Sequence, residues 1–424
     1  MGFSPKKSLE DYWDSYWLFE TKFSDVLSRH RYQMLQAFFH VSDIQTHIPR
    51  GQDGYKPLAK IQPLLDLLVP QLSAVYYPHR EISIDESMAR FKGRCHFRQF
   101  MPDKPTKRGF KVFVVCDARN YYALNLMIYT GKEHFVVPQD KSFTEHLVTT
   151  LMARYMDKGH VLFMDNFYSS PSLFATLQGA LTGAVGTVVE SRRDFPAELK
   201  RANLILKKGD DPVFYRSNDM VAVSWHDTKR VNLLSTVHTN NTVHKRIRAK
   251  DAPGGYRSVD KPVIADTYNS FMGGVDHFDQ LMKNYAYPHR NYKWYHALYH
   301  YLKDLSLVNG CILMVRDGHS TSAKDFRKSV VDALIRPHMI RRQNDRHQTN
   351  NAVDRLNAAA FGHFPAKFAD PKHRPVCKVC ASVKKRAQCR HYCPTCNVAL
   401  CIDNCFRIYH TAKDIKEARQ QLTQ

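Results

Sequence analysis

Four aspartates stand where a carboxylate is either costly or paired. Asp85 falls inside a β-type run, Ile82-Ser83-Ile84-Asp85-Glu86, and Asp165 ends an isolated apolar strand, Val161-Leu162-Phe163-Met164-Asp165-Asn166. Asp276 and Asp279 are three apart in Gly273-Gly274-Val275-Asp276-His277-Phe278-Asp279, so a helix there puts both on one face. Singly each says little, because an acid at a strand end is more often a turn or capping residue. A carboxylate within an otherwise apolar strand, however, needs something cationic to offset it. Two divalent ions clamped by acids from two strands and a helix would do so, and their chemistry is in-line displacement at a phosphodiester.

A second constellation lies near the C-terminus. Of ten cysteines, seven fall between Cys377 and Cys405, while Cys95, Cys116 and Cys311 are scattered. The order is Cys377-x2-Cys380, then Cys393-x2-Cys396-x4-Cys401-x3-Cys405-x4-His410, with Cys389 and His391 in between. In an intracellular chain such density points to Zn2+ rather than to disulfides. Two ions need eight ligands. Cys377, Cys380, Cys393, Cys396, Cys401, Cys405 and His410 supply seven, and the eighth is Cys389 or His391; one ion with spare thiols stays open.

Charge names the partner. The 424 residues carry 62 Lys+Arg against 40 Asp+Glu, a formal +22, which suits nucleic acid better than an anionic membrane. Eight of these bases, Arg90, Lys92, Arg94, Arg98, Lys104, Lys107, Arg108 and Lys111, begin five residues after Asp85, where they could neutralise phosphates beside the reacting one. Lys384, Lys385 and Arg386 add a basic cluster among the cysteines. Seven aromatics from Tyr285 to Tyr301 follow Asp279; most read as helix core, with one or two free to stack on unpaired bases. No apolar stretch approaches the ~20 residues a bilayer requires, and the N-terminus lacks a signal-peptide core. The expectation is an intracellular protein without a membrane partner.

The elements that must position these residues change texture along the chain. Residues 1–80 read as helices, with Ser28 capping one over Arg29–His40 and a second over Ile61–Leu72 that kinks or breaks at Pro70. Residues 81–189 read as three antiparallel-looking strands followed by helix, strand, helix, strand, an α/β layer domain. A β-rich insertion is expected over 190–260, a return to the core over 261–280 and further helices over 281–340. A linker over 341–375 then precedes the cysteine-rich domain, 376–412.

The motifs together resemble the piggyBac-type transposases. Ser83-Ile84-Asp85-Glu86, Phe91-Lys92-Gly93-Arg94, Met101-Pro102-Asp103-Lys104-Pro105 and Gly109-Phe110-Lys111 resemble the opening of that family's catalytic domain. Phe163-Met164-Asp165-Asn166-Phe167-Tyr168-Ser169-Ser170 resembles its second acidic motif, Val185-Gly186-Thr187-Val188 the strand after it, and Gly273 to Gln280 its third motif. The likeness runs in order from about Leu9 to His410. It implies an RNase H-like core of the DDE/D recombinase type, with Asp85, Asp165 and Asp276 holding Mg2+ or Mn2+ and Asp279 at a further acidic position. It also implies nicking, hairpin ends and joining at TTAA targets, a homodimer, a nuclear location and a cysteine-rich domain that binds transposon-end DNA. Protein or histone-tail contact through that domain is the alternative. Family members carry a long acidic N-terminal region, whereas here the likeness starts almost at the first residue, so a truncated or host-captured form is expected. An active transposase and a domesticated DNA- or chromatin-binding protein therefore compete.

Overall fold

Val, Ile, Phe and Cys fill the strands at the centre of the molecule, and their burial on both faces explains why those runs read as nearly continuous apolar segments. The structure is a computed structural model; it describes residues 1–14, 23–248, 253–287, 290–349 and 363–422. The chain divides into two compact units, Met1–Val330 and Val331–Gln424.

In the first unit, β1 (Glu81–Arg90), β2 (Gln99–Phe100), β3 (Arg108–Asp117) and β4 (Ala123–Ile128) form antiparallel pairs, β3 being flanked by β1 on one side and by β2 and β4 on the other. On the far side of β1 the sheet turns parallel, through β5 (Val161–Met164) and β6 (Gly183–Thr187). Helices α1 (Phe23–Val26), α2 (Arg29–Phe38) and α3 (Gln62–Ala74) precede β1; α4 (Phe143–Met152) and α5 (Pro171–Gly179) flank β5. Ser28, Ser142 and Ser170 cap α2, α4 and α5 by accepting backbone N–H bonds. Helix α3 does not break at Pro70 but continues to Ala74. Leu65 and Leu72, on either side of the proline, are buried in one core cluster, which holds the helix together despite the missing amide donor.

The stretch expected as an insertion is β-rich but does not all fold apart. Strands β7 (Val213–Ser217), β8 (Met220–His226) and β9 (Arg230–Ser235) extend the main sheet, β9 pairing antiparallel with β6. Apolar Val221, Val223 and Leu233 share a core with Val161, Phe163 and Val185, so leaving the sheet would expose them. Only β10 (Thr242–Arg248) and β11 (Tyr256–Pro262) form a separate two-stranded ribbon.

Helices α6 (Val263–Phe271), α7 (Gly274–Lys283) and α8 (Trp294–Arg316) complete the unit. Leu298, Leu302 and Leu305 of α8 share one core with Ile61, Leu65 and Val112. Most of the aromatic stripe is packing, as Trp294 edge-on to Phe97 at 5.3 Å illustrates. Among the described residues no helix is long and apolar enough to cross a membrane.

The linker expectation needs two corrections. Helix α9 (Ala323–Thr349) covers residues 341–349, and 350–362 lie outside the described residues. From His363 onward the chain already belongs to the cysteine-rich module: Ala366–Lys367 is an edge strand paired with His391–Cys393, which pairs in turn with Val398–Ala399. Helix Ile415–Gln421 packs Ile415 and Ala418 on the same small core, so the module also runs past 412.

Candidate functional site

Strand alternation decides what each acid faces. On β1, Ile82, Ile84 and Glu86 point to one side of the sheet, and Ser83, Asp85 and Ser87 to the other, beneath α7. Gly274 makes that approach feasible, because a methyl group there would overlap Ser83 Oγ and crowd Ala118 Cα at 3.3 Å. With α7 seated so closely, Asp279 Oδ1 accepts a hydrogen bond from the Ser87 hydroxyl. Asp276, one turn earlier, reaches the same region as Asp85.

Lys104 joins them. Its Nζ lies 3.1 Å from Asp85 Oδ2 and 3.7 Å from Asp276 Oδ1. Asp165 follows β5, whose register pairs Ile84 with Met164, so Asp85 and Asp165 leave adjacent parallel strands at the same level. Its Oδ1 accepts from Phe167 N at 3.0 Å, which shapes the turn. A second glycine keeps this corner tight: a Cβ at Gly186 would meet Ser169 Oγ and, at 2.6 Å, Met164 O.

Burial raises the carboxyl pKa of Asp85, with Lys104 opposing the shift and neighbouring Glu86 reinforcing it. Burial likewise raises Asp165 and pushes Asp279 up to about 6, against the Ser87 hydrogen bond and the charges of Lys283 and Lys104. Burial thus disfavours the ionised form of these acids, and a cation placed among them would offset that cost. Hard oxygen donors short of positive charge suit Mg2+ or Mn2+. A cleft of about 660 Å3 opens beside them, with Phe100 to Thr106 on one wall and Asp276, Asp279, Gln280 and Lys283 on the other.

Glu86, on the opposite face, is paired with Lys111 at 3.1 Å and accepts from Tyr168 OH at 2.8 Å. Lys111 also lies 4.5 Å from the Phe113 ring centre and 4.6 Å from that of Phe167. The eight bases from Arg90 to Lys111 therefore divide. Lys104, Lys111 and Arg98 turn inward, Arg98 Nη1 donating to Lys92 O and Gly93 O at 3.0 and 2.6 Å. Arg90, Lys92, Arg94, Lys107 and Arg108 are exposed and available to phosphate. Lys384, Lys385 and Arg386 are exposed as well.

In the second unit the sulfur and nitrogen donors gather into two quartets, each within 4.8 Å. Cys377, Cys380, Cys401 and Cys405 make one; His363, Cys393, Cys396 and His410 make the other. Cys380 Sγ is 3.6 Å from Cys405 Sγ, and His363 Nδ1 is 3.4 Å from Cys393 Sγ and 3.3 Å from Cys396 Sγ. Tetrahedral zinc with ~2.3 Å sulfur bonds has edges of about 3.8 Å, so the donors fit that ion. Burial first, and neighbouring thiols next, push Cys405 up to about 12, as expected of a thiol cluster without a cation. Neither residue proposed as the eighth donor joins a quartet. Cys389 Sγ instead lies 3.6 Å from Pro375 O and from His391 O, while His391 stands in an edge-paired strand. The eighth donor is His363, fourteen residues before Cys377, in a stretch that reads as linker and carries no spacing signal.

Comparison with known proteins gives the family. The family described as "Transposase IS4" matches residues 1–311. Human PiggyBac transposable element-derived protein 2 is 24% identical over 301 residues, 68% of this chain and 48% of that protein. Human PiggyBac transposable element-derived protein 3 is 25% identical over 400 residues, 92% of this chain and 64% of that protein. The chain thus spans about half to two-thirds of the length of these relatives. A piggyBac transposase, solved by cryo-EM in a synaptic complex with hairpin DNA, superposes with a TM-score of 0.70 at 23% identity, covering 94% of this chain and 84% of that one. The acids on β1, after β5 and on α7, the fold that carries them and the family match point one way: this chain belongs to the piggyBac-type transposases.

Proposed function

We propose that the protein is a DDE/D-type DNA transposase that cleaves and joins DNA strands at the Asp85–Asp165–Asp276 site, with Asp279 in support. The observation that carries this reading is the meeting of Asp85 of β1 and Asp276 of α7 on the Lys104 ammonium at the wall of an open cleft, with Asp165 following the adjacent strand β5 at the level of Asp85. The order β4-β3-β1-β5-β6, antiparallel and then parallel, supports an RNase H-like core. Asp85, Asp165 and Asp276 would hold Mg2+ or Mn2+, which would activate the attacking hydroxyl and stabilise the leaving oxygen.

The chain's own residues do the rest. Lys104 holds Asp85 and Asp276 together before the cation arrives and, once released, has the reach to meet a substrate phosphate. Exposed Arg90, Lys92, Arg94, Lys107 and Arg108 fix the DNA backbone. Tyr292, 91% exposed, borders a second cleft with Arg90, Lys92 and Arg290, a setting suited to stacking an unpaired base of a hairpin end or a TTAA target. Zn2+ in the two C-terminal quartets would fold the module that presents Lys384, Lys385 and Arg386 to DNA. Leu35 and Phe38 of α2, 50% and 69% exposed, offer apolar area for a second copy in a homodimer. A nuclear location is part of the same reading, because the proposed substrate is DNA.

A second reading rests on the same lysine. With its ammonium between Asp85 and Asp276, a domesticated derivative could keep the fold as a DNA-binding protein and leave the acids neutralised. Nicking of supercoiled plasmid in Mg2+ or Mn2+ separates the two. The active reading expects nicking by the purified chain and loss of about a hundredfold or more in Asp165→Asn and Asp276→Asn, with DNA binding retained. A folded, DNA-binding chain that never nicks would support the domesticated form.

A further inference from the structure

The β10–β11 ribbon has no role in the site described above. Thr242 pairs with Pro262 and the ladder runs to Arg248 opposite Tyr256, with neither strand joining the main sheet. A lone two-stranded ribbon is marginal in water. This one is anchored at its base, where Lys245 and Lys261 hold Asp266 of α6 at 2.9 and 3.3 Å. Beyond that anchor its composition is one-sided: the two strands carry Arg246, Arg248 and Arg257 against the single acid Asp260.

Charge on an exposed ribbon blunts its edges against aggregation, but that need explains charge of either sign, not a cationic excess. The register separates two faces. His244, opposite Asp260, and Arg246, opposite Ser258, share one face, and Val243, Lys245 and Val259 share the other. On the first face the Arg246 guanidinium lies 4.3 Å from the centre of the Tyr256 ring, a ring 41% exposed. Among the described residues that guanidinium meets a π-face and no carboxylate, which leaves its hydrogen-bonding fork to an acceptor. An antiparallel ribbon is also of a width that the major groove of B-DNA admits.

We propose that this ribbon is a duplex-DNA-binding arm, with the Arg246–Tyr256 face turned to the double helix and Arg246 contacting a phosphate. The proposal rests on the reading of the protein as DNA-binding and adds a contact away from the aspartates. Asp260 works against it on the same face, which provides an internal control of opposite sign.

The test is fluorescence anisotropy of the full zinc-loaded chain with a labelled duplex across a salt series. Arg246→Ala is expected to weaken binding several-fold and to reduce the slope of log Kobs against log salt by about 1, the loss of one phosphate contact. Arg246→Lys should keep the slope and Asp260→Asn should tighten binding. These positions are exposed, and a melting curve for each variant checks that the fold is intact. A wild-type slope in folded Arg246→Ala overturns the arm while leaving the functional reading standing. Wild-type protein that binds no duplex at all overturns both.

Discussion

Lys104 sets the energy of the aspartate site. The Asp85 side chain is 13% exposed and the lysine that offsets it 22% exposed, so the pair is partly shielded from solvent. Replacing it in Lys104→Met leaves the acids without their nearest cation. We expect a loss of about 1–3 kcal/mol by urea unfolding in chelator, smaller than for a fully buried pair. The same variant should gain more melting temperature from Mg2+ than wild type does, because its ammonium no longer competes. pH tests the acids separately. Asp279 has its carboxyl raised from 3.8 to about 6, so the folded state binds its proton more tightly than the unfolded state. Its contribution to stability is therefore most favourable below pH 3.8 and declines as pH rises through about 6. Added Mg2+ should relieve that decline, giving a larger thermal shift at pH 8 than at pH 5; equal shifts at both would argue against a carboxylate cation site.

At the scale of elements, a glycine and a serine let α7 reach the sheet. Gly274→Ala places a methyl on Ser83 Oγ in a fully buried contact and should cost about 1–3 kcal/mol through overpacking. Ser83→Ala removes the obstructing atom, so the double variant should recover most of the lost stability, which a thermal-unfolding cycle would measure. Non-recovery would place the strain elsewhere, Ala118 Cα being the next atom met. These elements were readable in the sequence because strands and helices announce themselves by period: Asp85 within an apolar run, Asp165 ending one, Asp276 and Asp279 on one helical face. The direction of Lys104 was not readable. It sits in an aperiodic loop among seven other bases, and only the packed structure shows that it turns inward with Arg98 and Lys111 while their neighbours face solvent. Strands β7 to β9 were visible as strands, yet their membership of the main sheet depends on β6 pairing with β9, a contact between residues far apart in sequence.

For the whole molecule, the C-terminal unit gives a countable result. Two quartets predict two Zn2+ per chain by elemental analysis. His363→Ala should reduce that to one, whereas Cys389→Ala and His391→Ala should keep two. Retention of both ions in His363→Ala would return the eighth ligand to Cys389 or His391. The CxxC pairs made the module legible, but a histidine has no such punctuation, and His363 is found only by where the chain carries it.

The interleaving of the two quartets has a bearing on how the module forms. The first CxxC pair completes its set with Cys401 and Cys405, skipping over the second pair, which closes instead with His363 and His410. During synthesis Cys393 and Cys396 emerge before Cys401, so the first four thiols of the two quartets, Cys377, Cys380, Cys393 and Cys396, could capture one ion among themselves in a crossed-over set. Reaching the final arrangement then means handing thiolates from one ion to another. The speed of maturation would be governed by ligand exchange rather than by chain collapse, and an excess of free zinc would slow it by filling the premature set.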